Sequence, residues 1–310
     1  MAYSSGGVIA AADYNTFVGS NNTTAGTINY VWSTGNGQYG YGQTGVPTVS
    51  ATGVVTATQW ATAINVLDNI LTHQTGSGAS NIALPTSGSL ITYLSALSGN
   101  ISAINTNHLN FGSQGATVTG SVFSPTLVAI NNATYNQTFA TRTITFASAD
   151  QARYFFNAGG QFNLVISSVT NNDNTQRSAD AITTISTNFG GFTAFRAITN
   201  NQRSGSGGTL AGGGYTSGYN GLTTANATIA TVTTSNTTYT TDSVSCLVKS
   251  NGTIGSNGDN GTIITLYLNY TSSHTSIVND TLNVTVNHRV DVVYPETTFL
   301  GNTWGAVTIA

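Results

Sequence analysis

The chain has 310 residues, of which 5% are Asp, Glu, Lys or Arg, and its formal net charge is −3. An average soluble protein carries ~25% charged residues, so this one takes its polarity from hydroxyls and amides. Few titratable groups count against acid–base catalysis. The absence of a basic excess counts against nucleic-acid binding. One cysteine, Cys246, excludes an internal disulfide and a cysteine-based zinc site. At 39% apolar residues the chain can still build cores.

Met1 to Gly7 lack the basic and apolar regions of a signal peptide. No run reaches the ~18 apolar residues of a membrane span. The sequence therefore predicts a protein kept in a cytosol or in something assembled there, without membrane contact. A short helix is predicted from Ile9 through Phe17. Residues 33–48 read as a Gly- and Tyr-rich loop, in which Tyr39 and Tyr41 are candidates to lie on a partner surface. No Lys-Ser/Thr pair follows these glycines, so they are not a phosphate loop.

Thr56-Ala57-Thr58-Gln59 is a capping box, and Val55 with Trp60 forms a hydrophobic staple. Trp60, Ile64, Leu67 and Leu71 then recur at helical spacing, and Gly76 closes the element. We read it as a docking helix that buries one face. Leu90, Leu94, Leu97, Ile101, Ile104, His108 and Phe111 follow at steps of four and three, a heptad seam. Two partners fit this seam: the helix of residues 56–75, as a hairpin, or the same seam in other copies of the chain. His108 reads as a terminal packing residue.

Residues 112–137 read as a linker or loose strands, with a domain boundary near residue 120. This divides the chain into a helical docking region, 1–120, and a β-rich region, 121–310. In the latter, Arg142–Phe146 alternates as a strand does. Ser148-Ala149-Asp150-Gln151 opens a short helix through Tyr154 and Phe155, stopped by Gly159-Gly160. A strand over Gln161–Ile166 is followed by a second short helix, with Ser178 as N-cap and Asp180 near its positive end. Phe192–Ile198 can return as a strand. Residues 204–221 are again Gly-rich, with Tyr215 and Tyr219 as further candidate surface tyrosines.

Val244, Cys246 and Val248 alternate, as do Ile264, Leu266, Leu268 and Tyr270. The three Asn-Gly pairs between them are hairpin signals. Leu282, Val284, Val286, His288, Val290, Val292 and Tyr294 share one face of a last long strand, while Arg289 and Asp291 share the other. The expected fold class is α+β: helices and loops, then an antiparallel β-sandwich with two embedded short helices. His73, His108, His274 and His288 are scattered singly, and no nucleophile elbow or paired-carboxylate motif occurs. The sequence thus predicts no catalytic residue, no metal site and no cofactor.

Gly40-Tyr41-Gly42-Gln43, Val54-Val55-Thr56, Trp60, Leu67 and His73-Gln74-Thr75-Gly76 resemble the N-terminal region of tail- and neck-associated virion proteins of T4-like myophages, especially those infecting cyanobacteria. Ala152-Arg153-Tyr154-Phe155-Phe156-Asn157-Ala158-Gly159-Gly160 and Thr303-Trp304-Gly305 are similar to segments of the same proteins. The resemblance implies a virion component and not an enzyme, without giving its place in the particle. Contact with copies of itself is expected from the heptad of residues 90–111, and the function we expect is a structural part of tail, neck, baseplate or fibre that also contacts other virion proteins. A charge-poor surface agrees, because burying ions at a permanent contact is costly. The alternative is an adhesin-like module that binds host-surface glycan through Tyr215, Tyr219 and the loop Asn251–Asn260.

Overall fold

A computed structural model describes residues 10–88, 94–129, 135–198, 203–211, 218–234, 241–272 and 281–310. The chain folds as α+β: helices first, then two antiparallel sheets in a sandwich-like arrangement.

Helix α1 spans Ala11–Val18 and a short helix α2 spans Ile28–Trp32, which the sequence pattern had not marked. Helix α3, Ala57–Thr75, starts as predicted. The Thr56 hydroxyl accepts from the Gln59 N–H at 3.2 Å, and Gln59 Oε1 accepts from the Thr56 N–H at 2.8 Å. Trp60 of α3 meets Tyr14 edge-on at 5.2 Å and tilts against Phe17 at 6.0 Å. Helix α4, Leu94–Thr106, lies against α3.

The first sheet contains β1 (Gln114–Val118), β2 (Thr126–Ala129), β4 (Gln161–Asn171), β5 (Gly191–Phe195) and β10 (Leu282–Pro295). Its order is β1-β10-β4-β5, and β2 also pairs with β10. Residues 114–129, expected as linker or loose strands, therefore form one interrupted edge strand along β10. Gln114 opposes Pro295, Phe123 bridges to His288, and Ala129 opposes Leu282. This edge strand crosses residue 120, where the sequence suggests a boundary.

The second sheet runs β11-β3-β9-β8-β7-β6. Its strands are β3 (Tyr135–Thr145), β6 (Thr209–Leu210), β7 (Ala227–Thr233), β8 (Ser243–Ser250), β9 (Ile263–Ser272) and β11 (Thr308–Ile309). The alternation in β8, β9 and most of β10 buries the predicted faces, Cys246 among them. The Asn-Gly pairs do not make a two-residue turn. Asn251 and Asn260 instead hold a longer loop, 251–262, by accepting from the N–H groups of Thr262, Ile263 and Thr253.

Two helices are embedded, as expected, with details that differ. Helix α5 is Ala149–Asn157. Ser148 accepts from the Gln151 N–H at 3.1 Å, but Gln151 Oε1 makes no return bond, so only half of the capping box forms. Phe155 and Phe156 of α5 join Phe146, Phe162, Phe195 and Tyr219 in an aromatic core. Helix α6, Gln176–Ile182, begins earlier than predicted: Thr175 is its N-cap, accepting from the Ser178 N–H at 3.2 Å. Ser178 lies inside the helix, and its hydroxyl accepts from the Asn283 N–H at 2.9 Å. Asp180 is consequently past the first turn and buried. The helix continues as a π-helical stretch over Thr183–Phe189, which touches β4 of one sheet and β7 and β8 of the other.

Candidate functional site: a clamped tyrosine loop and an open sheet edge

The loop after α2 is held from both sides by side chains rather than by a sheet. Asn29 is buried and bonds both backbone groups of Val46, with Nδ2 donating to the carbonyl at 2.8 Å and Oδ1 accepting from the N–H at 2.8 Å. Asn15 does the same to Val49. A side-chain amide carries one acceptor and one donor group, so it pairs with an extended backbone as another strand would.

On the β side, α5 supplies Arg153 and Asn157. Arg153 is fully buried. It donates to the carbonyls of Tyr39 (2.6 Å) and Thr34 (2.8 Å), and to Asp150 at 2.8 Å. Asn157 Nδ2 donates to the Tyr39 carbonyl at 3.0 Å. Two glycines allow this approach. A Cβ on Gly40, at φ +96°, would overlap the Thr34 carbonyl, and one on Gly42, at φ +71°, would overlap the Tyr154 ring. Asn36 of the loop accepts from the Asn257 N–H at 2.9 Å, which ties the loop to segment 251–262. Gln43 exchanges two hydrogen bonds with the backbone of Gly301.

Two of the four tyrosines offered as surface contacts, Tyr41 and Tyr219, are buried. Tyr41 is fully buried and donates to the His108 carbonyl at 2.9 Å. Burial pushes its hydroxyl pKa above the ordinary range. Tyr219 is buried and stacks on Phe156 at 4.2 Å. Tyr39 is half-buried, stacked on His108 at 3.9 Å. Tyr215 lies outside the described residues. The loop 251–262 bonds largely to itself and to Asn36. Of the groups on which the glycan-binding alternative rests, Tyr219 is used for packing, whereas Asn251, Asn257 and Asn260 of the loop are exposed.

The heptad is also used internally. Leu97, Ile101 and Ile104 are buried within the chain, and α4 packs on α3, whose Trp60, Ile64, Leu67 and Leu71 are buried too. Leu94 is half-buried, and Leu90 lies outside the described residues. The hairpin accounts for the spacing of Leu97, Ile101 and Ile104, which are covered within one chain.

The uncovered apolar surface is elsewhere. Among the described residues the exposed large apolar side chains are Val54, Leu84, Val118, Val122, Val128 and Ile198. Three of these six, Val118, Val122 and Val128, sit on the edge strand 114–129, whose outer side pairs with no strand among the described residues. Natural edges are blunted by charge, proline or bulges. This one has Pro125 and bulged pairing but no charged residue between Gln114 and Ala129.

Chemistry is sparse. No group of three His, Cys, Asp or Glu suited to a metal occurs among the described residues. His73 and His288 are buried singly, and burial lowers the pKa of each to about 4. Burial pushes the Cys246 thiol well up, so it is no ready nucleophile. Arg289 and Asp291 pair at 2.9 Å, and Asp291 also accepts from the Gly120 N–H on the edge strand. Two features escaped the sequence pattern. One is a buried polar cluster, in which the Tyr270 hydroxyl donates to the Asp242 carboxylate and Arg177 donates to Ser272 at 3.3 Å. The other is a cleft of about 460 Å³ between the α3–α4 unit and the sandwich, lined by residues that include Gln74, Phe111, Phe156 and Arg196. Both join residues far apart in the chain, so no spacing announces them.

Comparison with protein-family models, with curated proteins and with solved structures finds no match.

Proposed function

We propose that this chain is a structural component of a tailed bacteriophage particle, in the tail, neck or baseplate, and that it acts by contact with copies of itself and with other particle proteins. The supporting observation is the edge strand 114–129: an open sheet edge bearing three exposed valines and no charge. Such an edge pairs readily with another strand, because its outward backbone groups and its apolar side chains both gain from being covered. In a free-standing protein it is a liability. In a particle component it is a joint.

The residue inventory supports a non-enzymatic role. Two of the buried ionisable groups fix loops and sheets: Arg153 the tyrosine loop, Asp291 the edge strand. The resemblance to myophage tail and neck proteins supplies the setting. Immunogold labelling of intact particles tests it. Label at a discrete tail, neck or baseplate position is the expected result, and particles free of the protein would refute the proposal.

A further inference from the structure

We propose that the cleft between the α3–α4 unit and the sandwich binds a carboxylate attached to an apolar side chain, the chemistry that a peptide C-terminus ending in an apolar residue presents. The cleft measures about 460 Å³, within the ordinary range of small-ligand sites. Its cation is Arg196. The Nε–H donates to Gln161 Oε1 at 2.7 Å, and the guanidinium lies 5.1 Å from the centre of the Phe111 ring. These two contacts fix the plane of the group and leave both terminal nitrogens without a hydrogen bond among the described residues. Two parallel N–H donors are the geometry that a carboxylate accepts.

The second polar feature is Gln74, which also lines the cleft. It is nine-tenths buried or more, and its Nε2 is committed to Tyr41 Oη at 2.9 Å and to the Ile104 carbonyl at 3.0 Å. Its Oε1 has no partner. Oε1 is itself closed off from the cleft, so Gln74 shapes the wall and offers the ligand no hydrogen bond. The remaining lining includes Leu109, Phe111, Phe156 and Ile198, which suits an apolar side chain better than a hydroxyl-rich sugar. The ligand is thus specified by two groups: a carboxylate for Arg196 and an apolar side chain for the wall. The inference does not depend on the assembly reading, since none of the residues it uses belongs to the edge strand 114–129.

Titration calorimetry or amide chemical-shift mapping of the full chain with N-acetyl-leucine tests it, with N-acetyl-leucinamide and glucuronate as comparison probes. N-acetyl-leucine should bind at least about tenfold more tightly than either, because charge-assisted hydrogen bonds to the carboxylate are lost in the amide. An acetylated tetrapeptide ending in leucine separates the sources: tighter binding than N-acetyl-leucine indicates a protein C-terminus, and equal binding indicates a free acylated amino acid. Arg196→Gln should weaken N-acetyl-leucine about tenfold or more. Ile198→Glu, at an exposed rim position, should weaken it without unfolding the chain. Absence of binding, equal binding of the neutral amide, tighter binding of glucuronate, or binding indifferent to Ile198→Glu would each overturn the proposal.

Discussion

The Nε–H of Arg142 on β3 donates to Nε2 of His288 on β10 at 3.1 Å, a hydrogen bond that joins the two sheets. The same guanidinium covers the ring of Phe123, on the edge strand, at 3.4 Å. His288 is fully buried, and its pKa is lowered to about 4, first by burial and then by the Arg142 charge. Accepting from an arginine requires a neutral ring, so protonation would break the link.

The sign of the pH effect follows. Unfolded histidine takes up its proton near pH 6.5, whereas folded His288 and His73 do so near pH 4. Between these values the unfolded chain binds more protons, so stability is full above pH 6.5 and falls as pH drops towards 4. Each histidine contributes about 3 kcal/mol by this linkage. Urea unfolding at pH 7 and pH 5 should show a lower midpoint at pH 5, and His288→Gln should flatten the dependence. An unchanged midpoint across this window would refute the assignment.

Arg153→Met should destabilise the chain by about 3 kcal/mol. It leaves the Thr34 carbonyl without its buried donor and removes one of the Tyr39 carbonyl's two, whereas Asp150, which is partly exposed, is rescued by water. Chemical denaturation measures the loss. Hydrogen exchange should also rise in residues 34–42, since outside any sheet the loop has only the backbone bonds of Gly35, Tyr39, Tyr41 and Gly42 to add to those of Arg153 and Asn157. A change confined to α5 would show that the loop holds itself.

Leu97→Ala should cost about 2–5 kcal/mol in the isolated chain, because Leu97 is fully buried within one molecule. Leu97→Asp should prevent folding. A Leu97→Asp chain that folds normally and loses only its self-association would show that the heptad works between copies.

Much of the local structure is legible in the sequence. The α3 capping box, the period-two alternation of β8 and β9, and the heptad of α4 are short-range patterns, and each forms. The errors share a cause. Tyr41 and Tyr219 sit in Gly-rich loops that suggest exposure, but Arg153 and Asn157, more than a hundred residues away, pull the first loop inward. Between the two readings left open for residues 114–129, linker or loose strands, β10 decides for strands, since the segment has neither clean alternation nor strong propensity of its own. Thr175 displaces Ser178 as the α6 cap because both are good caps, and β10 takes the Ser178 hydroxyl. The abundant amides have a local use too: Asn15, Asn29, Gln43 and Gln74 bond backbone or buried groups inside the chain, work that needs no partner.

The edge valines carry the assembly claim, and their replacement should separate folding from association. Val122→Lys and Val128→Lys place charge on exposed positions, so the melting temperature should change little. Sedimentation velocity over a concentration series tests the claim most directly. The account predicts self-association of the wild-type chain that the double variant loses while keeping its melting temperature. A wild-type chain and a double variant with the same association at every concentration would contradict it.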